Sequence, residues 1–423
     1  MMIYPWLSIF DLQTLYSNIK KPLKCTEKTF DDYKIIVPVF GKPSYLKNLD
    51  FLRTCRDRVI IASISDQSEE MEQLLAALRR EGFQVSILDL HKSVSRTAAI
   101  SSPASFFHVF VKFNVMVFKI WPPWTVAYDE RLHQSRLSSR PGPVPYYAVM
   151  KHPLESCVYD AMRKTTVEYV KEKYVCFLDG DSIPQGDFGK PCAVLEREGL
   201  DIASVKVLPN SKANFIERMQ WIEFNIAMRS RHYYPWLTSG ACCIVKTSAL
   251  KEIIRNHSLY FLGGDIEIGI LGRLKGKKIG YIDFTVLTDV PNTFTKWFKQ
   301  RIDWFCGSFR LSIINFDKHL TQPIFLIYMA GLVFLIWPLK LFGIFFDWWI
   351  LPLVLLLYIP ITFANWQVRD RYMFLYPLYG CFQCLILPPL GILRYLYLLF
   401  RYKMVGRISQ NRYQKQKDAD KAI

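Results

Sequence analysis

The sequence predicts an α/β domain, a mixed sheet with flanking helices, followed by an amphipathic interfacial helix and C-terminal transmembrane helices. Three observations lead there. From residue 33 short β-rich runs alternate with amphipathic helical runs. From about residue 323 long apolar stretches begin that are poor in charge. Between these regions lies "TDVPNTFTKWFKQRIDWFCGSFR", residues 288–310, dense in aromatics and bases. A length of 423 residues accommodates two ordinary domains or one large domain plus a membrane part.

The first strand is "YKIIVPVF", ending in the loop "GKPS"; the second is "RVIIASIS". The helix "DQSEEMEQLLAALRREG" follows, with Asp66 or Ser68 as its cap, acids in its first turn and Gly82 as its stop. "FQVSILDL" is the third strand. This β-α-β rhythm implies parallel strands, and ligands bind at the carboxyl ends of such strands, which singles out Phe40 to Lys42 and Asp66 to Ser68. Residues 101–150 break the rhythm. "FFHVFVKFNVMVFKIW" carries His108, Lys112, Asn114 and Lys119, which argues against a membrane span, so the block reads as an insertion. Order returns with a helix near 155–171, the strand "YVCFLDGDSIP", the strand "DIASVKVLP", a long helix around "FIERMQWIEFNIAMRS", and "LTSGACCIVK".

The domain layout is therefore an N-terminal interfacial segment over 1–30, a cytoplasmic catalytic domain over 31–290, an amphipathic interfacial helix over 291–320, a transmembrane region over 321–400 and a basic tail over 401–423. Within 321–400 there are two membrane candidates and a third broken by Pro388 and Pro389. Arg369, Arg371 and the basic tail all belong on the cytoplasmic side, which suits two spans plus a re-entrant or interfacial segment. This places the chain in a membrane as a multi-pass protein with its α/β domain cytoplasmic, at the plasma membrane if the source is a bacterium. The first twenty residues lack a basic leader and cleavage site, so they read as an interfacial helix and not as a signal peptide.

A net charge of +17 suits anionic lipid or phosphorylated small substrates. Nucleic acid is disfavoured, because no zinc-finger, RNP or basic-zipper pattern occurs. Ten cysteines form no regular framework, and Cys381-x-x-Cys384 has no second pair or nearby His, so buried, reduced thiols are expected.

"FLDGDS" carries the sharpest chemistry. An apolar strand delivers Asp179 and Asp181 to its polar end at i and i+2, where both can approach one hard divalent ion, Mg²⁺ or Mn²⁺, shared with substrate phosphates. "GGDIEIG" adds Asp265 and Glu267 behind two glycines that allow close approach of a ligand. A carboxylate beside a sugar hydroxyl is a suitable general base, although acids at a helix N-terminus explain the same string by the dipole alone.

Taken in order, "VPVF", "SDQS", "FLDGDS", "TSGACCIVK", "GGDIEIG" and "QRIDW", followed by membrane segments, resemble family 2 glycosyltransferases. The sequence is most similar to the membrane-embedded polysaccharide synthases of hyaluronan, chitin and cellulose, over roughly residues 33–90 and 151–345. The resemblance implies a GT-A-type, Rossmann-like fold and a UDP-sugar donor. It implies that Pro38, Val39, Phe40 and Asp66 line the uridine pocket, and that Asp179 and Asp181 hold the metal and the nucleotide diphosphate. Ser239 and Gly240 would lie by the acceptor, and Asp265 would be the base. Gln300, Arg301 and Trp304 would cover the donor diphosphate and stack on the acceptor sugar.

The sequence departs from the family pattern at several points. Gly41 and Lys42 stand where Asn and Glu are usual, and Gly264 stands where Glu is usual. The Gly-Lys segment ahead of the metal aspartates is not recognisable beyond Lys151. The motif arginine is Asp303. Projected at ~100° per residue, Phe294, Trp297, Phe298, Ile302, Phe305 and Phe309 share one helix face, with Lys296, Lys299, Asp303 and Arg310 opposite. Asp303 is then expected to pair with Lys299 at i, i+4, and Arg301 or a neighbouring base to supply the donor's positive charge.

Three functions follow. The first is an inverting, metal-dependent glycosyltransferase building a polysaccharide. The second is a non-processive transferase acting on a lipid or lipid-phosphate acceptor. The third is an inactive membrane scaffold, which the ordered Asp179, Asp181, Asp265 and Trp304 argue against. The donor sugar, the acceptor as glycan or lipid, and the oligomeric state are not legible in the sequence.

Overall fold

The computed structural model describes residues 21–64, 67–88, 162–163, 166–254, 257, 263–314 and 350–404. Asp66, the insertion, the first membrane candidate, residues 1–20 of the N-terminal segment and residues 405–423 of the basic tail lie outside them.

Among the described residues nine strands form one sheet. They are β1 (Leu23–Lys24), β2 (Tyr33–Pro38), β3 (Val59–Ile64), β4 (Gln84–Leu88), β5 (Tyr174–Leu178), β6 (Ser182–Pro184), β7 (Ile202–Pro209), β8 (Cys242–Lys246) and β9 (Ile279–Thr288). The order is β1-β9-β7-β8-β5-β2-β3-β4, with β6 paired to β9. The predicted β2, β3 and β4 are parallel neighbours. The sheet is mixed because β8 runs antiparallel between β5 and β7, and β6 antiparallel to β9.

Strands β2, β3 and β5 are buried at nearly every position, so both faces carry apolar side chains. One face sets Ile35, Val37, Ile61, Cys176 and Leu178 against α1 (Leu49–Thr54), α2 (Glu69–Arg80) and α3 (Gly189–Glu198). The other sets Ile36, Ile60, Val175 and Phe177 against α5 (Thr247–Ile254) and α6 (Gly264–Leu274). Helix α2 begins where the sequence places it: Ser68 accepts from the Met71 amide, and Gly82 follows at φ 92°. Between them α4 (Phe215–Ser230) carries a full capping box of Asn214 and Glu217.

The helix expected to be interfacial is α7 (Phe294–Ile314), and α8 (Ile350–Ala364), α9 (Tyr376–Leu385) and α10 (Leu387–Met404) follow. Pro388 and Pro389 fall in the first turn of α10, where a missing amide costs little, so they start the helix and do not interrupt it. Helix α4 packs Met219, Ile222 and Ile226 on Val368, Met373, Tyr376 and Leu385, joining the C-terminal helices to the sheet domain. Among the described residues one stretch, Met373–Tyr397, is long and apolar enough to cross a membrane. Eight cysteines within the described residues are free thiols.

The topology fixes where a ligand belongs. On one side β2 is followed outward by β3 and β4, and on the other by β5, so the order reverses between β2 and β5. The crevice at their carboxyl ends is the switch point of the sheet. Pro38 ends β2 there, and Asp179 follows β5.

Candidate active site

Asp179 leaves β5 into a turn that is clamped from below. The buried Asn48 amide donates to the carbonyls of Asp179 at 3.0 Å and Ser182 at 2.8 Å. The backbone amides of Lys47 and Asn48 both donate to the Gly180 carbonyl. A Cβ at Gly180 would lie 3.2 Å from the Tyr45 carbonyl, so glycine lets the two loops close. Instead of continuing extended, the chain turns at Gly180, and the Ser182 amide donates to the Asp179 carbonyl at 3.0 Å. Asp181 Oδ1 accepts from Ser182 Oγ at 3.3 Å and from Thr288 Oγ1 at 3.5 Å.

Asp265 arrives from a different element. It sits in the first turn of α6, whose N-cap Gly263 has φ 83°. The loop before β8 lies directly on this helix, because a Cβ on Gly269 would collide with the Trp236 carbonyl. Thr238 Oγ1 donates to the Asp265 carbonyl, pinning loop to helix. The outcome is a convergence on Gly240. A Cβ built there would stand 3.5 Å from Asp265 Oδ2 and 3.7 Å from Asp179 Oδ2. Two carboxylates, from separate elements, face the same small space. Glu267, from the same string, does not join them: it is buried and lies 3.7 Å from His257 Nε2.

The electrostatics are those of an acidic cleft. Asp179 keeps 33% of its side chain open, yet the surrounding protein withholds enough water to matter. Burial, together with Asp181 and Asp265, pushes it up to about 7 against the pull of Arg163. Burial and then Asp289 also raise Asp181. A cleft that disfavours its own negative charge is one that a cation stabilises.

The donors fit a hard cation only in part. Among the described residues no group of three or more His, Cys, Asp and Glu side chains is arranged to hold a metal ion. Asp179 and Asp181 are oxygen ligands of the kind Mg²⁺ and Mn²⁺ take, with the remaining positions left to water and substrate phosphate.

The chain matches the family described as "Glycosyl transferase family group 2" over residues 174–397, from the start of β5 into α10. The chain belongs to that family. It is a glycosyltransferase. No curated protein sequence matches it. Two solved structures are similar at low identity. The mannosyltransferase PcManGT from Pyrobaculum calidifontis, in complex with GDP-Man and Mn²⁺, is 12% identical at a TM-score of 0.47, covering 94% of this chain and 95% of that one. S. aureus TarS 1-349, in complex with UDP-GlcNAc, is 10% identical at a TM-score of 0.40, covering 92% and 91%.

In this glycosyltransferase the other expected residues are placed as follows. Val39 is buried; its amide donates to the Ala62 carbonyl at 2.8 Å and its carbonyl accepts from Ser63 Oγ at 2.9 Å. Buried Gln67 donates to Ser63 Oγ and accepts from the Gly41 amide, so it holds the ends of β2 and β3 together. Gly41, at φ 91°, takes a conformation that the usual Asn adopts with more difficulty. Phe40 is half-buried against the apolar face that includes Leu271. Gln300 and Trp304 lie together on α7, with Trp304 48% exposed and free to offer a stacking face.

One expectation for α7 changes. Asp303 does not pair with Lys299: it accepts from Arg394 Nε of α10 at 3.2 Å, because α10 covers that side of the helix. The close crossing depends on Gly391, where a Cβ would come within 2.5 Å of Phe305 Cβ. Arg301 is buried and turned to Glu223 of α4 at 2.7 Å and to Gln300 Oε1 at 2.7 Å, with its guanidinium 4.1 Å from the Trp304 ring centre. Its charge is thus engaged within the protein by Glu223 and Gln300.

The sequence reading missed Arg163, Glu223 and Asn48. Each is an ordinary polar residue inside a helix or loop, with no motif around it. Only burial marks Arg163 and Asn48, at 7% and 2% exposure.

Proposed function

We propose that this glycosyltransferase moves a sugar from a nucleotide diphosphate donor, UDP-linked, to an acceptor hydroxyl presented at a membrane surface, with inversion at the anomeric carbon. The observation that carries it is the meeting of Asp179 and Asp265 across Gly240 at the switch point of the sheet. Asp179 and Asp181 would hold Mg²⁺ or Mn²⁺, which when bound supplies countercharge to the departing diphosphate. Asp265 takes the proton of the acceptor hydroxyl. The acceptor oxygen forms its bond to the anomeric carbon as the bond from that carbon to the diphosphate oxygen breaks, and the nucleotide diphosphate leaves with the electron pair. Trp304, exposed on α7, offers an aromatic face for the acceptor ring.

Polysaccharide synthesis is the product we favour, on the resemblance of the ordered motifs to polymerising synthases. Single transfer to a lipid or lipid-phosphate acceptor is the second reading. It is favoured by the exposed apolar side chains of α8 to α10, among them Leu356, Phe363, Leu378 and Leu393. Membrane association, with a candidate span at Met373–Tyr397, belongs to the same proposal.

The test is nucleotide release by the full-length protein in detergent, given a panel of UDP-sugars and GDP-mannose with Mn²⁺ or Mg²⁺. Asp181→Ala is expected to abolish release, and Asp265→Asn to abolish transfer while UDP still binds. Turnover of both variants at the rate of the unaltered protein would falsify the assignment. Chain-length analysis of the product separates polymer from single addition.

A further inference from the structure

Arg163 stands on the donor side of the cleft and touches both halves of it. Its Nη2 donates to Asp179 Oδ1 at 3.2 Å and to the Gly240 carbonyl at 3.4 Å. Its guanidinium lies 5.1 Å from the centre of the Phe177 ring, on the strand that delivers Asp179. The residue is buried, with a side chain 9% exposed. A buried arginine is held by a partner or is strongly destabilising, so this arrangement is a specific one.

The consequence is geometric. With Oδ1 engaged by Arg163, the other oxygen, Oδ2, is the one directed at the space beside Gly240 that Asp265 also faces. One guanidinium therefore sets two things: which oxygen of Asp179 is presented, and how far the Gly240 loop stands from it. Asp179 belongs to the donor side by its place after β5, whereas Gly240 belongs to the loop that Thr238 ties to the helix of Asp265.

We propose that Arg163 is a positioning residue that couples the donor-binding aspartate to the base-bearing half of the site, holding Asp179 and the Gly240 loop in register for transfer. It rests on the reading of the site given under Proposed function. Arg163 need not touch substrate. The ligand-binding carboxylates remain when it is removed, but the two halves lose their shared anchor. Small misplacements of reacting groups cost on the order of 10²-fold in rate. Attack by water requires no fixed acceptor and suffers less. The expected signature is uncoupling: donor is still bound and slowly hydrolysed, while sugar transfer collapses.

Full-length Arg163→Lys and Arg163→Met proteins test this. Lysine keeps the charge but places one ammonium where the guanidinium spans two acceptors, and methionine keeps the length alone. Three quantities are read: binding of UDP with Mn²⁺ by calorimetry, nucleotide release from the UDP-sugar panel without added acceptor, and radiolabel incorporated into product. Binding within about threefold of the unaltered protein, with the ratio of hydrolysis to transfer raised about tenfold or more in Arg163→Met and less in Arg163→Lys, is the expected result. Hydrolysis and transfer falling in parallel, or UDP binding lost while the melting temperature is kept, overturns the inference and leaves the site reading standing. If the unaltered protein neither binds UDP with Mn²⁺ nor releases nucleotide from any donor, the site reading fails and the inference falls with it.

Discussion

Arg301 Nη2 lies 2.7 Å from Glu223 Oε2, and the same carboxylate oxygen accepts from the Tyr379 hydroxyl at 2.6 Å. Tyr379 in turn accepts from the Trp297 indole at 3.0 Å. One partly buried acid, opposite a buried arginine, thus joins α4, α7 and α9, and with them the sheet domain, the aromatic helix and the C-terminal helices. Removing one partner of a buried pair costs ~3–5 kcal/mol, because the other charge is left without compensation. Arg301→Ala is therefore expected to lower stability by about that amount in urea or thermal melts, with reduced transfer because Trp304 loses the cation beneath its ring. Unchanged stability combined with a tenfold rise in KM for a UDP-sugar would instead assign Arg301 to the donor.

The Asp303–Arg394 pair behaves differently. Both side chains are partly exposed, at 23% and 28%, and such pairs are worth ~0–1 kcal/mol. Asp303→Ala should lower the melting temperature only slightly, and Asp303→Arg with Arg394→Asp should restore most of what either single reversal loses. A double-mutant cycle on melting free energies measures the coupling; a value near zero would mean that the pair is incidental to the α7–α10 crossing.

Gly240→Ala isolates the cleft from the fold. The new methyl would meet its nearest neighbours at 3.5 and 3.7 Å, ordinary contact distances, so the melting temperature should hold within a degree or two. It would, however, occupy the space that both carboxylates face. Nucleotide release is expected to fall ~100-fold. Full activity in this variant would show that substrate lies elsewhere.

Asp179 gives the pH prediction. Its folded value of about 7 lies above the ordinary value of 3.8. Between those values the native state keeps a proton that the unfolded chain has released, so this group's contribution to stability falls as pH rises from about 4 to about 7 and is level above. Asn at this position has no proton to lose. In chelator, the melting temperature of Asp179→Asn minus that of the unaltered protein is expected to increase across pH 4.5 to 7.5 and then flatten. Mn²⁺ should close the gap at high pH by replacing the proton on the unaltered carboxylate. A difference constant across this range would show that Asp179 is not strained by its neighbours.

How much of this was legible in the sequence follows from the range of the interactions. Helix α2 announced itself through Ser68, its acidic first turn and Gly82, all within fifteen residues, and the strands through local runs of apolar residues. The carboxylates we propose for the reaction were legible because each rides on such an element end, "FLDGDS" after a strand and "GGDIEIG" opening a helix. The sequence by itself also determined their order, and with it the family. What only the tertiary structure decided was the partner of each charge. Glu223 and Arg301 are 78 positions apart, Asp303 and Arg394 are 91, and Arg163 meets Gly240 across 77. Helical spacing offered Lys299 to Asp303, but the packing of α10 through Gly391 brought a different cation closer. A charge chooses its partner by distance in space and by how much water remains around it, and neither quantity exists until the sheet and its helices have closed.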